Sequence, residues 1–124
     1  MNKEDLFCTE AQAKKLKSLG VAQRSLYTTK DKTTSVFTAP ELGAMLPPEI
    51  NGSAHLLEQW RYERNGKEQY CIAYKGWENR VRVPLLNKVT FGKTEAQARA
   101  SYLIFLIENK IIDVETINIR LLAA

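Results

Sequence analysis

The chain is poor in the side chains that metal and nucleophilic chemistry require: one histidine, His55, and two cysteines, Cys8 and Cys71, among 124 residues. With no Cys-x-x-Cys pair and a single imidazole, the usual zinc-ligand spacings cannot be assembled, so no metal is expected. Two buried free thiols are the expected state of the cysteines. The alternative is one disulfide joining the N-terminal segment to a central strand. It needs an oxidising compartment that the sequence does not signal.

Long apolar runs are missing too. The longest is Tyr102 to Ile107, against the roughly 20 residues a bilayer-crossing helix needs. The opening Met1-Asn2-Lys3-Glu4-Asp5-Leu6 places acidic groups where an export signal would begin its apolar stretch. A cytoplasmic protein is therefore expected. Glycine and proline number only 6 and 4, beside 44% hydrophobic and 26% charged residues. That composition excludes collagen-like and low-complexity chains and fits one globular domain over residues 1–124. No Gly-x-Gly-x-x-Gly, Walker-type lysine loop or His-Glu-x-x-His occurs, and no cofactor is expected. The net charge of +4 permits an anionic partner without demanding one.

Catalytic constellations are correspondingly thin. A triad needs a base beside its nucleophile; His55 is the sole imidazole, and the expectation is a satisfied surface histidine near the start of a strand. Glu58, expected on the same face as Trp60, is either an acid in an apolar setting or a residue at the rim of the core. Enzyme is the weaker class, and a non-enzymatic protein is expected.

What is present reads as an α+β domain. Thr9-Glu10-Ala11-Gln12 matches a capping box, so a helix is expected over about 10–19, with Ala13, Leu16 and Leu19 inward, Lys14, Lys15 and Lys17 on a solvated face, and Gly20 ending it. Residues 24–29 and 35–38 suggest a hairpin around an exposed, mobile loop. Ala39-Pro40-Glu41 opens a helical turn or two before Pro47-Pro48. Strand-like runs flank Asn65-Gly66, and the loop length decides which side chains share a face. A two-residue turn mixes apolar and polar side chains on both faces. A three-residue loop, Arg64-Asn65-Gly66, pairs Trp60 with Tyr70 and Glu63 with Lys67. It gathers Leu56, Trp60, Tyr62, Tyr70, Ile72 and Tyr74 on one face, and the three-residue loop is the expectation.

After an expected turn at Gly76-Trp77, Arg80-Val81-Arg82-Val83 alternates as a third strand, valines toward the core and arginines away. Val89-Thr90-Phe91 adds a short strand. Thr94-Glu95-Ala96-Gln97 repeats the capping pattern, and the helix it starts, about 95–109, is the most apolar part of the chain and should be central. Asp113 to Ile117 opens a last short helix carrying Leu121. The fold expected is an antiparallel sheet of four to six strands with the 95–109 and 10–19 helices packed on it.

The positive excess concentrates in residues 80–99, where Arg80, Arg82, Lys88, Lys93 and Arg99 stand against Glu95 alone. If the third strand lies beside 67–75, Arg80 and Arg82 join Arg61 and Lys75 on the polar sheet face, with Trp77 next to it. These five residues are the candidate binding site, for phosphates, a nucleotide, nucleic acid or an acidic protein surface. A plain solvated face is the competing reading. Open sheet edges, or an exposed aromatic such as Trp77, suggest a homodimer as a second kind of interaction.

Two stretches, "CTEAQAKKLKSLGVAQRSLY" (8–27) and "TEAQARASYLIFLIENKII" (94–112), with "APELGAMLPPEI" (39–50) between them, together resemble a family of small phage and prophage proteins of unknown function. The family's features are a short helix ending in a Lys-Leu-Gly-like turn that leads to strands, an acidic-Leu-Gly segment before Leu-Pro, and a late apolar helix ending in Glu-Asn. The resemblance implies a phage or prophage origin and residence in a bacterial host's cytoplasm. By analogy it implies an accessory role, binding a host protein or an anionic ligand, in the manner of host-defence antagonists.

Overall fold

The Thr9 hydroxyl accepts the Gln12 amide at 3.1 Å while Gln12 Oε1 accepts the Thr9 amide at 3.0 Å, and the helix that follows, α1, spans Glu10–Ser18. Its inward residues Ala13 and Leu16 are fully buried. The same Gln12 side chain donates from Nε2 to Gln97 O and Ser101 Oγ, so the residue that caps α1 also ties it to a later helix. These details come from a computed structural model that describes residues 6–25, 27–50 and 54–123, Arg64 by its backbone alone.

Helix α2, Ala39–Met45, is capped by Thr38 with Glu41 reaching back. Strands β1 (Glu49–Ile50), β2 (His55–Arg64), β3 (Lys67–Glu78), β4 (Val81–Pro84) and β5 (Thr90–Gly92) follow, then helices α3 (Glu95–Glu108) and α4 (Val114–Ala123). The sheet is antiparallel throughout, in the order β1-β2-β3-β4, with β5 also on β3. Residues 70–72 of β3 pair with β5 and residues 75–78 with β4, so the two short strands share the edge of β3 that β2 leaves open. The expected α+β architecture is therefore observed. Among the described residues, no helix is long and apolar enough to cross a membrane.

Helix α3 packs on β3 and β5, and α1 and α2 pack on α3. The core lies between the sheet and these helices, with Phe37, Leu42, Ile72, Tyr74, Tyr102, Leu103 and Leu106 essentially inaccessible. The Tyr74 and Tyr102 rings meet at 5.3 Å between centroids, and the Tyr74 hydroxyl donates to Pro47 O at 2.6 Å. Desolvation holds the Tyr74 phenol far above its usual pKa. Two near-identical hexapeptides behave differently at the helix starts. Thr94 caps α3 by accepting from Gln97 N, but Gln97 Oε1 accepts from Lys93 N and not from Thr94.

Gly92 sits where β5 turns into α3. A Cβ there would lie 2.5 Å from Ala98 N and 2.9 Å from Gln97 Cβ. Only a residue without a side chain lets β5 approach the first turn of α3 this closely.

Several local expectations are corrected. The β2–β3 loop has two residues, with Arg64 opposite Lys67 and Trp60 opposite Cys71. Asn65 and Gly66 both have positive φ, 53° and 75°, as a type I′ turn requires, and that turn's twist matches the strands better than a longer loop. Gly76-Trp77 is no turn: β3 continues through both to Glu78, and the reversal falls at Asn79-Arg80, with φ of 51° and 68°. Among its described residues the 24–38 region forms an isolated bridge, Thr28 to Ser35, not full strands. Its 30–34 loop is organised around Asp31, which accepts from the hydroxyls of Thr29 and Thr33 and from Thr33 N. Val81 is exposed and does not reach the core.

Candidate functional site

In a two-residue hairpin the cross-strand pairs share a face, so the register sorts every side chain of β2 and β3. One face carries Leu57, Gln59, Arg61 and Glu63 with Glu68, Tyr70, Ile72 and Tyr74. It meets the helices: Ile72 and Tyr74 are fully buried, and Gln59 accepts from Arg99 of α3 at 2.7 Å. The opposite face carries Leu56, Glu58, Trp60 and Tyr62 with Gln69, Cys71, Ala73, Lys75 and Trp77. Arg82 lies opposite Trp77 and Phe91 opposite Cys71, so both strands at the far edge extend this second face.

All four helices belong to the layer on the first face, and the second is open. Its large side chains are correspondingly accessible: Trp77 is 73% exposed, Phe91 54%, Tyr62 49% and Leu56 48%. From Gln69 to Trp77 the row along β3 extends about 27 Å at roughly 3.4 Å per residue. That is the scale of a contact surface, not of a pocket.

Within the face the polar groups are arranged around the rings. Lys75 Nζ stands 4.2 Å from the centre of the Trp60 ring. The Arg82 guanidinium lies 5.8 Å from the Trp77 ring centre, and its Nη1 meets Glu58 Oε1 at 2.8 Å. At partly exposed sites such cation–π contacts each contribute about 0.5–1 kcal/mol, enough to orient the side chains without covering the rings. Cys71, between Trp60 and Phe91, is 2% exposed. Both cysteines are free and buried, and desolvation pushes both thiols above the usual cysteine range.

Of the five residues expected to bind, Lys75, Trp77 and Arg82 share the open face. Arg61 and Arg80 do not join them. Arg61 points to the helix side, where it pairs with Glu68 at 3.2 Å, because the two-residue loop shifts the register by one and moves the side chains of β2 to the other face of β3. Arg80 occupies the left-handed second position of the β3–β4 turn. Three further residues of the face, Trp60, Tyr62 and Phe91, were expected in the core or unassigned. The Asn65-Gly66 dipeptide was the signal that would have placed the first two.

A second concavity, a cleft of about 700 Å³, opens between the starts of α2 and α3, beside Leu6, Tyr70 and Lys93. Its threonines, Thr38 and Thr94, are committed to capping those helices. Comparison of the chain with protein-family models, with curated proteins and with solved structures finds no match.

Proposed function

We propose that the protein acts by binding and not by catalysis, and that the open sheet face receives a protein partner bearing acidic groups. The observation that carries this reading is Trp77, 73% exposed, flanked by Arg82 on a face that also presents Phe91, Tyr62 and Leu56. Tryptophan, tyrosine and arginine dominate the energetics of protein interfaces, and fully covering one such apolar side chain is worth about 1.5–3 kcal/mol. Aliphatic Leu56 and Pro84 on the same face suit a protein surface better than a row of bases.

Charge decides against a nucleic acid as the first choice. Among the described side chains the face has Lys67, Lys75 and Arg82 against Glu49 and Glu58, and Arg82 is already engaged by Glu58. Affinity for nucleic acid comes largely from neutralising several phosphates at once, and two lysines supply little of that. The resemblance to phage and prophage proteins supports the setting: an accessory protein in the bacterial cytoplasm that engages a host component, a defence protein being the leading candidate.

The test uses the immobilised protein against a lysate of the natural host. A partner should be retained by the wild type and by a helix-side control, Leu122→Ala, and lost from Trp77→Ala and from Lys75→Glu. Equal capture by the face variants would overturn the assignment. Trp60 and Trp77 are the only tryptophans, so quenching of their fluorescence by a single-stranded oligonucleotide, abolished by moderate salt, would instead favour the nucleic-acid reading.

A further inference from the structure

The outer edge of β2 is unpaired over most of its length. β1 pairs only with His55 and Leu56, and Leu57 N donates to Pro48 O at 2.9 Å. Beyond that point no strand lies beside β2 among the described residues. In a hairpin closed by a two-residue turn, the pair flanking the turn exchanges both backbone hydrogen bonds and alternate pairs do not. Arg64, Tyr62, Trp60 and Glu58 therefore bond to β3, whereas the N–H and C=O of Gln59, Arg61 and Glu63 point outward. The bond from Leu57 to Pro48 agrees with that alternation. Gln59, Arg61, Tyr62 and Glu63 are all exposed, so the edge is accessible.

We propose that this edge pairs with the same edge of a second copy of the chain, antiparallel about a two-fold axis at Arg61, to make one continuous sheet. In that register residue 59 lies opposite residue 63 of the other copy, and Arg61 lies opposite its equivalent. All three outward-facing residues of each strand are then satisfied. The side chains favour a copy of this chain over an unrelated strand for two reasons. On the open face, Trp60 falls opposite Tyr62 of the second copy, twice over, in the closer, non-hydrogen-bonded type of pair, where aromatic contacts contribute most.

On the other face there is an unbalanced acid. Glu63 stands directly across from Glu68, a like-charge pair, while Arg61 of the same strand is taken by Glu68 and Arg99 of α3 by Gln59. Arg61 of the second copy arrives diagonal to Glu63, within reach of a long side chain. The two opposed guanidiniums are then interleaved with four carboxylates. Charged side chains commonly blunt an edge against pairing; on this edge both signs are present, in an order that complements itself. The interface is short, so the dimer is weak and concentration-dependent. It would also join the two open faces into one surface.

Sedimentation velocity across a concentration series, with circular dichroism as the folding check, tests this. The wild type should shift from monomer to dimer. Arg61→Pro removes an outward N–H that the monomer does not use, and it should stay monomeric with an unchanged spectrum. If that variant misfolds, Arg61→Glu should weaken the dimer at least about tenfold. The exchange Arg61→Glu with Glu63→Arg should restore it, since it places an arginine across from Glu68. A strict monomer at every concentration overturns the proposal. So does a dimer that survives both Arg61 variants, and so does one abolished by Trp77→Ala alone, which would mean pairing through the faces.

Discussion

Trp60 stands directly across the hairpin from Cys71, with Phe91 on the far side of the same cysteine. The small residue is closed over by two large ones, and this accounts for a thiol that is 2% exposed on a face no helix covers.

That arrangement makes Cys71 a reporter of the register. Trp60→Ala is expected to raise the rate at which Cys71 reacts with a neutral alkylating reagent by about tenfold or more, since reaction needs an accessible thiolate. Cys8, buried against the segment of Phe37, should be unaffected. Peptide mapping after timed alkylation separates the two. Equal acceleration at both thiols would indicate general loosening and would count against a local cover.

Gly92 is expected to tolerate no side chain. With Ala98 N only 2.5 Å from where an added Cβ would lie, Gly92→Ala must displace either β5 or the first turn of α3. Overpacking of this kind costs about 2 kcal/mol. Urea unfolding should show a lower midpoint with an unchanged slope.

Arg80 holds a left-handed conformation, φ 68°, that costs an ordinary residue roughly 1–2 kcal/mol. Arg80→Gly puts a glycine directly after Asn79, the preferred type I′ pair, and should stabilise the fold by about 1 kcal/mol. The same variant should leave partner binding intact, because Arg80 lies at the turn and not on the open face. Loss of binding in a more stable protein would return Arg80 to the site.

Asp31 should titrate low. Hydrogen bonds from Thr29 and then Thr33 favour the carboxylate and bring its pKa to about 2 from the ordinary 3.8. A folded-state pKa below the unfolded one contributes stability above about pH 4, where both forms are ionised, and loses it as pH falls through about 2. Carboxyl-detected NMR titration reads the value directly. In Thr29→Ala it should return toward the ordinary range and the 30–34 loop should lose order.

The helix starts were legible because they are local. Thr9, Thr38 and Thr94 each accept an amide three residues on, a relation that needs no distant partner. The apolar run at 102–107 marked α3 as central, and alternation located β4. The hairpin register follows from its Asn65-Gly66 turn and not from its apolar pattern. A face bearing Leu56, Trp60 and Tyr62 looks like a core face only on the assumption that apolar side chains must be covered. Here the covered face also holds Gln59, Arg61 and Glu63, made tolerable at the rim by Arg99 of α3 and by Glu68 of β3.

The candidate site divides the same way. Lys75, Trp77 and Arg82 were readable as a cluster because β3 and β4 are adjacent in sequence. Phe91 joins them only because β5 crosses back onto β3, and Arg61 leaves them because one residue in the loop reverses every side chain of β2. By itself the sequence determined where helices begin and how the charge is distributed, since those depend on neighbours a few residues apart; the exact reversals, at Asn65-Gly66 and Asn79-Arg80, did not follow from it. Only the tertiary structure decided which sheet face is covered. The helices supply enough apolar surface for one side, and their placement on the Ile72 and Tyr74 side leaves Trp77 to solvent and Trp60 half-buried.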